Sequence, residues 1–204
     1  LYYNIHIHKV MIVLIPLGGI GSRYRKNGFN KPKALVKVFG KPILFWLLDS
    51  LKVDENTIIY IPYNREYLRY QFEDLLYKNY PKLQFRFLVL DRETKGAAET
   101  LYIALSNLDI VDQPVISLDS DNFYLSDIIS LWNKKNSLLV FNDTSPQPLY
   151  SYVKTDSAGK ITDIVEKQKI SDIACCGGYA FESYRQLLEY TRFVVDNNIT
   201  QQGE

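Results

Sequence analysis

"VMIVLIPLGGIGSR" (residues 10–23) decides the fold. An unbroken apolar, β-branched run reads as a strand buried on both faces, and the glycines that end it read as a sharp turn into the next segment. Strands of that kind belong to parallel sheets, where helices cover both faces. Outward from it, "TIIYIP" (57–62), "FRFLVL" (85–90) and "PVISLD" (114–119) repeat the pattern, each closed by a polar, glycine or proline break. Between them, "PILFWLLDSL" (42–51), "REYLRYQFEDLLYKN" (65–79) and "GAAETLYIALSNL" (96–108) carry apolar residues at three and four spacing, the mark of amphipathic helices. The alternation predicts a βαβ series in a mostly parallel, doubly wound sheet, with ligands beyond the carboxyl ends of the strands. From about residue 138 the rhythm changes: "LLVFN" (138–142), "YSYVKTD" (150–156), "GKITDIVEK" (159–167) and "CCGGYAF" (175–181) read as short strands with hairpin signals, before a helix near "SYRQLLEYTR" (183–192). The sheet is therefore expected to be mixed, with an antiparallel half after the parallel one.

With 204 residues, net charge +1, 47% hydrophobic and 23% charged residues, the chain has apolar material for one ordinary core. Near-neutral balance argues against general affinity for nucleic acid or membranes, and the sixteen tyrosines form no stacking motif. The basic excess is local. Residues 15–44 hold seven Lys or Arg and no carboxylate, and no Asp or Glu precedes Asp49. Adjacent Cys175 and Cys176 cannot make a long-range staple, which suits a reducing, cytoplasmic setting. No stretch approaches the roughly 20 apolar residues of a membrane span, and "MIVLIPLGG" is too short for a signal peptide. Met11, the only methionine, is expected to be the natural start, with residues 1–10 an upstream arm and 11–204 a single domain that is truncated at its C-terminus. His6 and His8 share one face of that arm but have no third ligand nearby.

The basic glycine segment fails the Walker A test, because Gly21 is followed by Ser22 and Arg23 and not by a Lys-Ser/Thr pair. It is also a poor dinucleotide turn, because a third glycine is missing and the second strand ends "YIPYN" without an acidic residue. What remains is a glycine-rich strand end whose backbone N–H groups can hold phosphate, with Arg23 and Lys33 on flexible arms. A polyphosphate is the natural guest.

These residues resemble the sugar-phosphate nucleotidyltransferases, also called nucleoside-diphosphate-sugar pyrophosphorylases. "GGIGSR" (18–23) with "KPKALVKVFGKPIL" (31–44) is similar to that family's G-G-x-G-[TS]-R loop and its P-K-x-L-x-x-x-x-G-K-P segment. "ETKGAAETL" (93–101), "ISLDSDNFY" (116–124), "VEK" (165–167) and "CGGYAF" (176–181) come after them in the family's order. The resemblance implies a Rossmann-like three-layer α/β/α fold with a mostly parallel mixed sheet. It implies transfer of a nucleotidyl group from a nucleoside triphosphate to a sugar 1-phosphate with Mg²⁺, giving a nucleotide-activated sugar and pyrophosphate.

In such a reaction the protein chiefly positions the phosphates and neutralises their charge. The resemblance gives Arg23 and Lys33 the catalytic cations, one on the leaving phosphates and one toward the α-phosphate. Leu17, Gly18, Gly19, Gly21, Ser22, Asp91, Gly96 and Ala97 fall to the nucleotide, and Glu166, Lys167 and Gly178 to the acceptor. Asp121 is the implied Mg²⁺ ligand, and Asp119 points the same way along its strand. Adjacent strand residues face opposite ways, so Glu166 and Lys167 can share a ligand only if the strand ends or bulges at the pocket rim.

Two departures stand out. The family's second metal aspartate lies downstream of its sugar-binding lysine, beyond Glu204 here; a truncated domain, or Asp119 and Asp121 acting alone, would account for it. Asp91 takes the place of a glutamine that reads pyrimidines in thymidylyl and uridylyl members. A carboxylate there suits the exocyclic amine of cytosine. The alternatives are a phospho-alcohol cytidylyltransferase, an A-type glycosyltransferase or a non-catalytic nucleotide-binding domain. A homo-oligomer is compatible with each of them.

Overall fold

The computed structural model describes residues 11–19, 21, 28 and 30–200. Its parallel half runs β1 (Ile12–Leu14), a hairpin of β2 (Lys37–Val38) and β3 (Lys41–Pro42), helix α1 (Ile43–Ser50), β4 (Ile58–Asn64), α2 (Phe72–Asn79), β5 (Gln84–Leu90), α3 (Ala97–Ser106) and β6 (Val115–Leu118). The second half adds α4 (Ile128–Leu131), β7 (Ser137–Asn142), β8 (Ser151–Thr155), β9 (Ile161–Glu166), β10 (Ile173–Phe181) and α5 (Tyr184–Asp196). Apart from the β2–β3 hairpin these strands form one eight-stranded sheet.

β1 lies between β4 and β6 and is parallel to both. All three of its residues are buried, as the apolar run requires of a strand covered on two sides. The period of two along the strand divides the core. Met11, Val13 and Ile15 pack with Leu44 and Leu47 of α1 and Leu76 of α2. Ile12 and Leu14 pack with Ala104 and Leu105 of α3 and Leu187 of α5. Each such Leu or Ile contributes roughly 1.5–3 kcal/mol by leaving water. The result is the three-layer α/β/α arrangement.

The expected helix over 65–79 is two pieces. A 3-10 turn spans Arg65–Tyr70, Gln71 sits in the left-handed region at φ 48°, and α2 begins at Phe72. Tertiary packing overrides the period here. The Asn64 side chain accepts from the Glu66 amide at 3.0 Å and starts a turn, while Tyr67 and Phe72 bury edge-to-face, 4.8 Å between ring centres.

β10 joins the halves. On one edge it pairs antiparallel with β7 on both sides of a bulge, at Ile173 to Cys175 and Gly178 to Ala180, and on the other it pairs with β6 from Gly178 to Phe181 and with β8 at Ala174. Its register against β7 shifts between Cys175 and Gly178. β6 and β8 thus share one edge of β10 at different heights, and the sheet divides where the bulge lies.

Candidate functional site

The turn after β1 reaches the start of α3. A Cβ on Gly18 would stand 2.3 Å from Thr100 Oγ1 and 2.7 Å from Thr94 Oγ1, so only glycine admits this approach. The two hydroxyls are 2.6 Å apart, and that of Thr100 also donates to the Gly96 carbonyl at 3.1 Å. α3 has no side-chain cap at Gly96, which leaves its first amides for an anion. Glu99 stabilises the same end. It accepts from the Lys95 amide at 2.6 Å and from Arg92 at 2.6 Å, and these bonds, that of Arg92 foremost, hold its carboxyl below the usual range.

At the carboxyl end of β6, the amide of Asp119 donates to the Gly177 carbonyl at 2.8 Å. Its carboxylate is open to a cavity of about 520 Å³. Protein nevertheless surrounds that cavity closely enough that desolvation, then the charge of Asp121, pushes the Asp119 pKa up to about 6, with Lys33 opposing. Lys33, in a 3-10 turn behind Pro32, sets its ammonium against the Asp121 carboxylate. Two carboxylates two residues apart, Asp121 paired with the Lys33 ammonium and Asp119 within reach of its charge, form a hard, net-negative donor set. Such a set fits Mg²⁺, which takes one or two carboxylates and completes its shell with phosphate oxygens and water. Among the described residues no group of three or more His, Cys, Asp or Glu could hold a metal by itself.

The two residues expected at the acceptor stand where β9 ends. That strand stops at Glu166, and Lys167 turns into the left-handed region at φ 52°. The alternation of faces is broken there, and Lys167 Nζ comes to 2.9 Å from Glu166 Oε1. The 520 Å³ cavity brings together Gly96, Ala97, Asp119 and Glu166, and Ser151, Tyr179 and the end of α5 also line it.

Other expected residues do not line this cavity, Asp121 among them although its charge acts on Asp119. Asp121 lines a smaller hollow of about 300 Å³ beside Trp46 and Phe123. Leu17 is buried, and both its backbone polar groups are taken by the β4 strand, its amide by Pro62 and its carbonyl by Asn64. Gly178 is buried against Leu139, whose Cδ1 would be 2.2 Å from an added Cβ. Its lack of a side chain is thus a packing requirement of β7 and β10. Asp91 is exposed just past β5, and Gly19 is exposed beside the turn. Gly21 has φ 67°. Ser22, Arg23, His6 and His8 lie outside the described residues. Sequence reasoning missed Thr94, Thr100, Ser151, Gly177 and Tyr179. Thr100, a hydroxyl on the buried face of an otherwise apolar helix stripe, was the one with a visible signal.

A doubly wound sheet with a glycine turn facing an uncapped helix start, and carboxylates at the adjoining strand end, defines an α/β protein that handles phosphorylated nucleotides. The chain belongs to the nucleotidyl transferase family, whose model matches residues 12–197. Its chemistry is therefore nucleotidyl transfer. The UTP–glucose-1-phosphate uridylyltransferase AglF of Haloferax volcanii is 28% identical over 183 residues, which cover 84% of this chain and 72% of AglF. The catalytic subunit beta of mannose-1-phosphate guanylyltransferase from Drosophila pseudoobscura is 30% identical over 180 residues, covering 82% of this chain but only 47% of that one. Among solved structures, the nucleoside-diphosphate-sugar pyrophosphorylase of Vibrio cholerae RC9 superposes with a TM-score of 0.78 at 25% identity, over 94% of this chain and 82% of that protein. No helix among the described residues is long and apolar enough to cross a membrane.

Proposed function

We propose that the protein joins a nucleoside triphosphate to a sugar 1-phosphate. A phosphate oxygen of the acceptor attacks the α-phosphorus in line, a new P–O bond forms, and the bond to the β-phosphate oxygen breaks with its electron pair leaving on pyrophosphate. The observation that carries this reading is the single cavity shared by the start of α3, Asp119 and Glu166, since the two substrates must meet end to end. The amides at Gly96 and Ala97 and the turn at Gly18 and Gly19 receive the triphosphate, and Lys33 moves from Asp121 to the α-phosphate when substrate enters. Arg23 is assigned the leaving phosphates. Lys167 holds the acceptor phosphate against like-charge repulsion, and Glu166 accepts from a sugar hydroxyl. Asp121 and Asp119 would hold Mg²⁺, which supplies charge neutralisation between the phosphates. The names of the relatives point to hexose 1-phosphates as acceptors.

The test is pyrophosphate release from each of the four common nucleoside triphosphates, offered with glucose 1-phosphate, mannose 1-phosphate or phosphocholine. Release with a sugar 1-phosphate is expected, and the triphosphate preferred reads the contribution of Asp91. Release with phosphocholine alone would move the assignment to a phospho-alcohol cytidylyltransferase.

A further inference from the structure

We propose that Lys169 is a positioning residue for the acceptor end of the site: its ammonium clamps the turn after β9 so that Glu166 and Lys167 address one ligand. The inference rests on the roles proposed for those two residues. Lys167 has a conformation that residues with a Cβ seldom adopt, φ 52°. Such a conformation persists where surrounding contacts over-determine it, and those contacts are present. On one side the Lys167 amide donates to the Tyr150 carbonyl at 2.8 Å, and Glu166 pairs with Ser151 across the β8–β9 ladder. On the other side Lys169 Nζ reaches the carbonyls of Asp143 and Ser145 at 2.8 and 2.5 Å and the Asp172 carboxylate at 3.2 Å. The ammonium thus donates to two backbone carbonyls and pairs with one carboxylate.

The segment that Lys169 grips is itself anchored in the core. Asp143 is buried. It accepts from the hydroxyl of Tyr152 at 2.6 Å and from the Ser145 amide at 2.9 Å, and its own amide donates to the Asp172 carbonyl at 2.8 Å. Tyr152 is fully buried on β8, one residue along from the Ser151 that faces Glu166. A network of this kind is cooperative and specifies one arrangement. Of these residues Glu166 and Ser151 line the cavity, Lys167 is held at its edge by its ion pair with Glu166, and Lys169, Asp143 and Tyr152 stand behind them, so Lys169 acts through the backbone that carries Glu166 and Lys167. Loss of the clamp therefore falls on one substrate only.

Lys169→Met keeps the aliphatic stem and removes every donor. KM is to be measured separately for each substrate, with UTP and glucose 1-phosphate and with GTP and mannose 1-phosphate, beside the thermal midpoint. The expected result is a rise of roughly tenfold in the KM of the sugar phosphate, with the KM of the triphosphate within about twofold of the parent. Lys169→Arg, which keeps charge and donors, is expected to recover most of the loss. Should Lys169→Met fail to fold, Lys169→Gln is read in the same way. A lower thermal midpoint with both KM values unchanged, or equal rises in both, would overturn the clamp. Lys167→Ala, run in parallel, separates the two ideas. If it leaves the sugar phosphate KM unchanged, the acceptor reading fails and the inference with it. If it raises that KM while Lys169→Met does not, the clamp alone is wrong.

Discussion

Lys33 and Asp121 form an ion pair that is more than a third exposed on both sides, 36% and 39%. Exposed pairs of this kind contribute about 0–1 kcal/mol to stability, so a lysine and an aspartate 88 positions apart are poorly explained by folding alone. Lys33→Ala should therefore lower the thermal midpoint by no more than about 2–4 °C. Turnover should fall by about 10²–10³, the usual loss when one donor to a developing charge is removed. Thermal unfolding and initial rates on the same preparation check both halves; a large loss of stability with turnover retained would make the pair structural. Both residues were candidates in the sequence, Asp121 by its place just past a strand and Lys33 by the resemblance of "KPKALVKVFGKPIL" (31–44) to the family's lysine segment. Thr94 was not, and Thr100 showed only as a hydroxyl on an apolar helix stripe, since either threonine acquires its meaning through the Gly18 backbone that approaches it in space.

β10 is the element on which the site depends most. Its bulge turns the Cys176 carbonyl out of the ladder, where the Asn122 amide at 2.9 Å and the Tyr124 hydroxyl at 3.1 Å both donate to it. Gly177 comes next at φ 71°, its Cα face against the aspartate: an added Cβ would stand 2.4 Å from Asp119 Oδ2 and 2.2 Å from Asn122 Nδ2. Gly177→Ala would combine a strained backbone with a clash. We expect a cost of about 1–3 kcal/mol, or a thermal midpoint lower by about 2–4 °C for each kcal/mol. The Asp119 carboxylate must also shift, and turnover should drop with it. An unchanged midpoint in calorimetry would show that the strand relaxes at no cost. The pair "GG" in "CGGYAF" was visible as a strand, but its division of labour was not: Gly177 serves the aspartate, and Gly178 serves packing against Leu139.

Across the whole molecule, cohesion is uneven. β1 is buried at every residue, whereas four of the six residues of β9 are exposed and that strand closes the sheet order at its edge. Local openings should track this gradient, with β8–β9 amides exchanging at least about 100-fold faster than those of β1 and β6 in native-state hydrogen exchange. Uniform protection would mean that the two halves open as one. By itself the sequence determined the doubly wound parallel half, the change to antiparallel strands near residue 138 and which glycines, lysines and aspartates were candidates for a site. Those signals are local: a period of two or 3.6, a glycine at a strand end and a charge beside it. Only the tertiary structure decided that α2 begins after a left-handed Gln71, that β10 splits its edge between β6 and β8, and that Lys167 turns back onto Glu166. Each depends on contacts between segments far apart in the chain, namely an aromatic cluster, a bulge against Asp119 and an ammonium held by Asp143 and Ser145, and no local pattern of residue types encodes such a meeting.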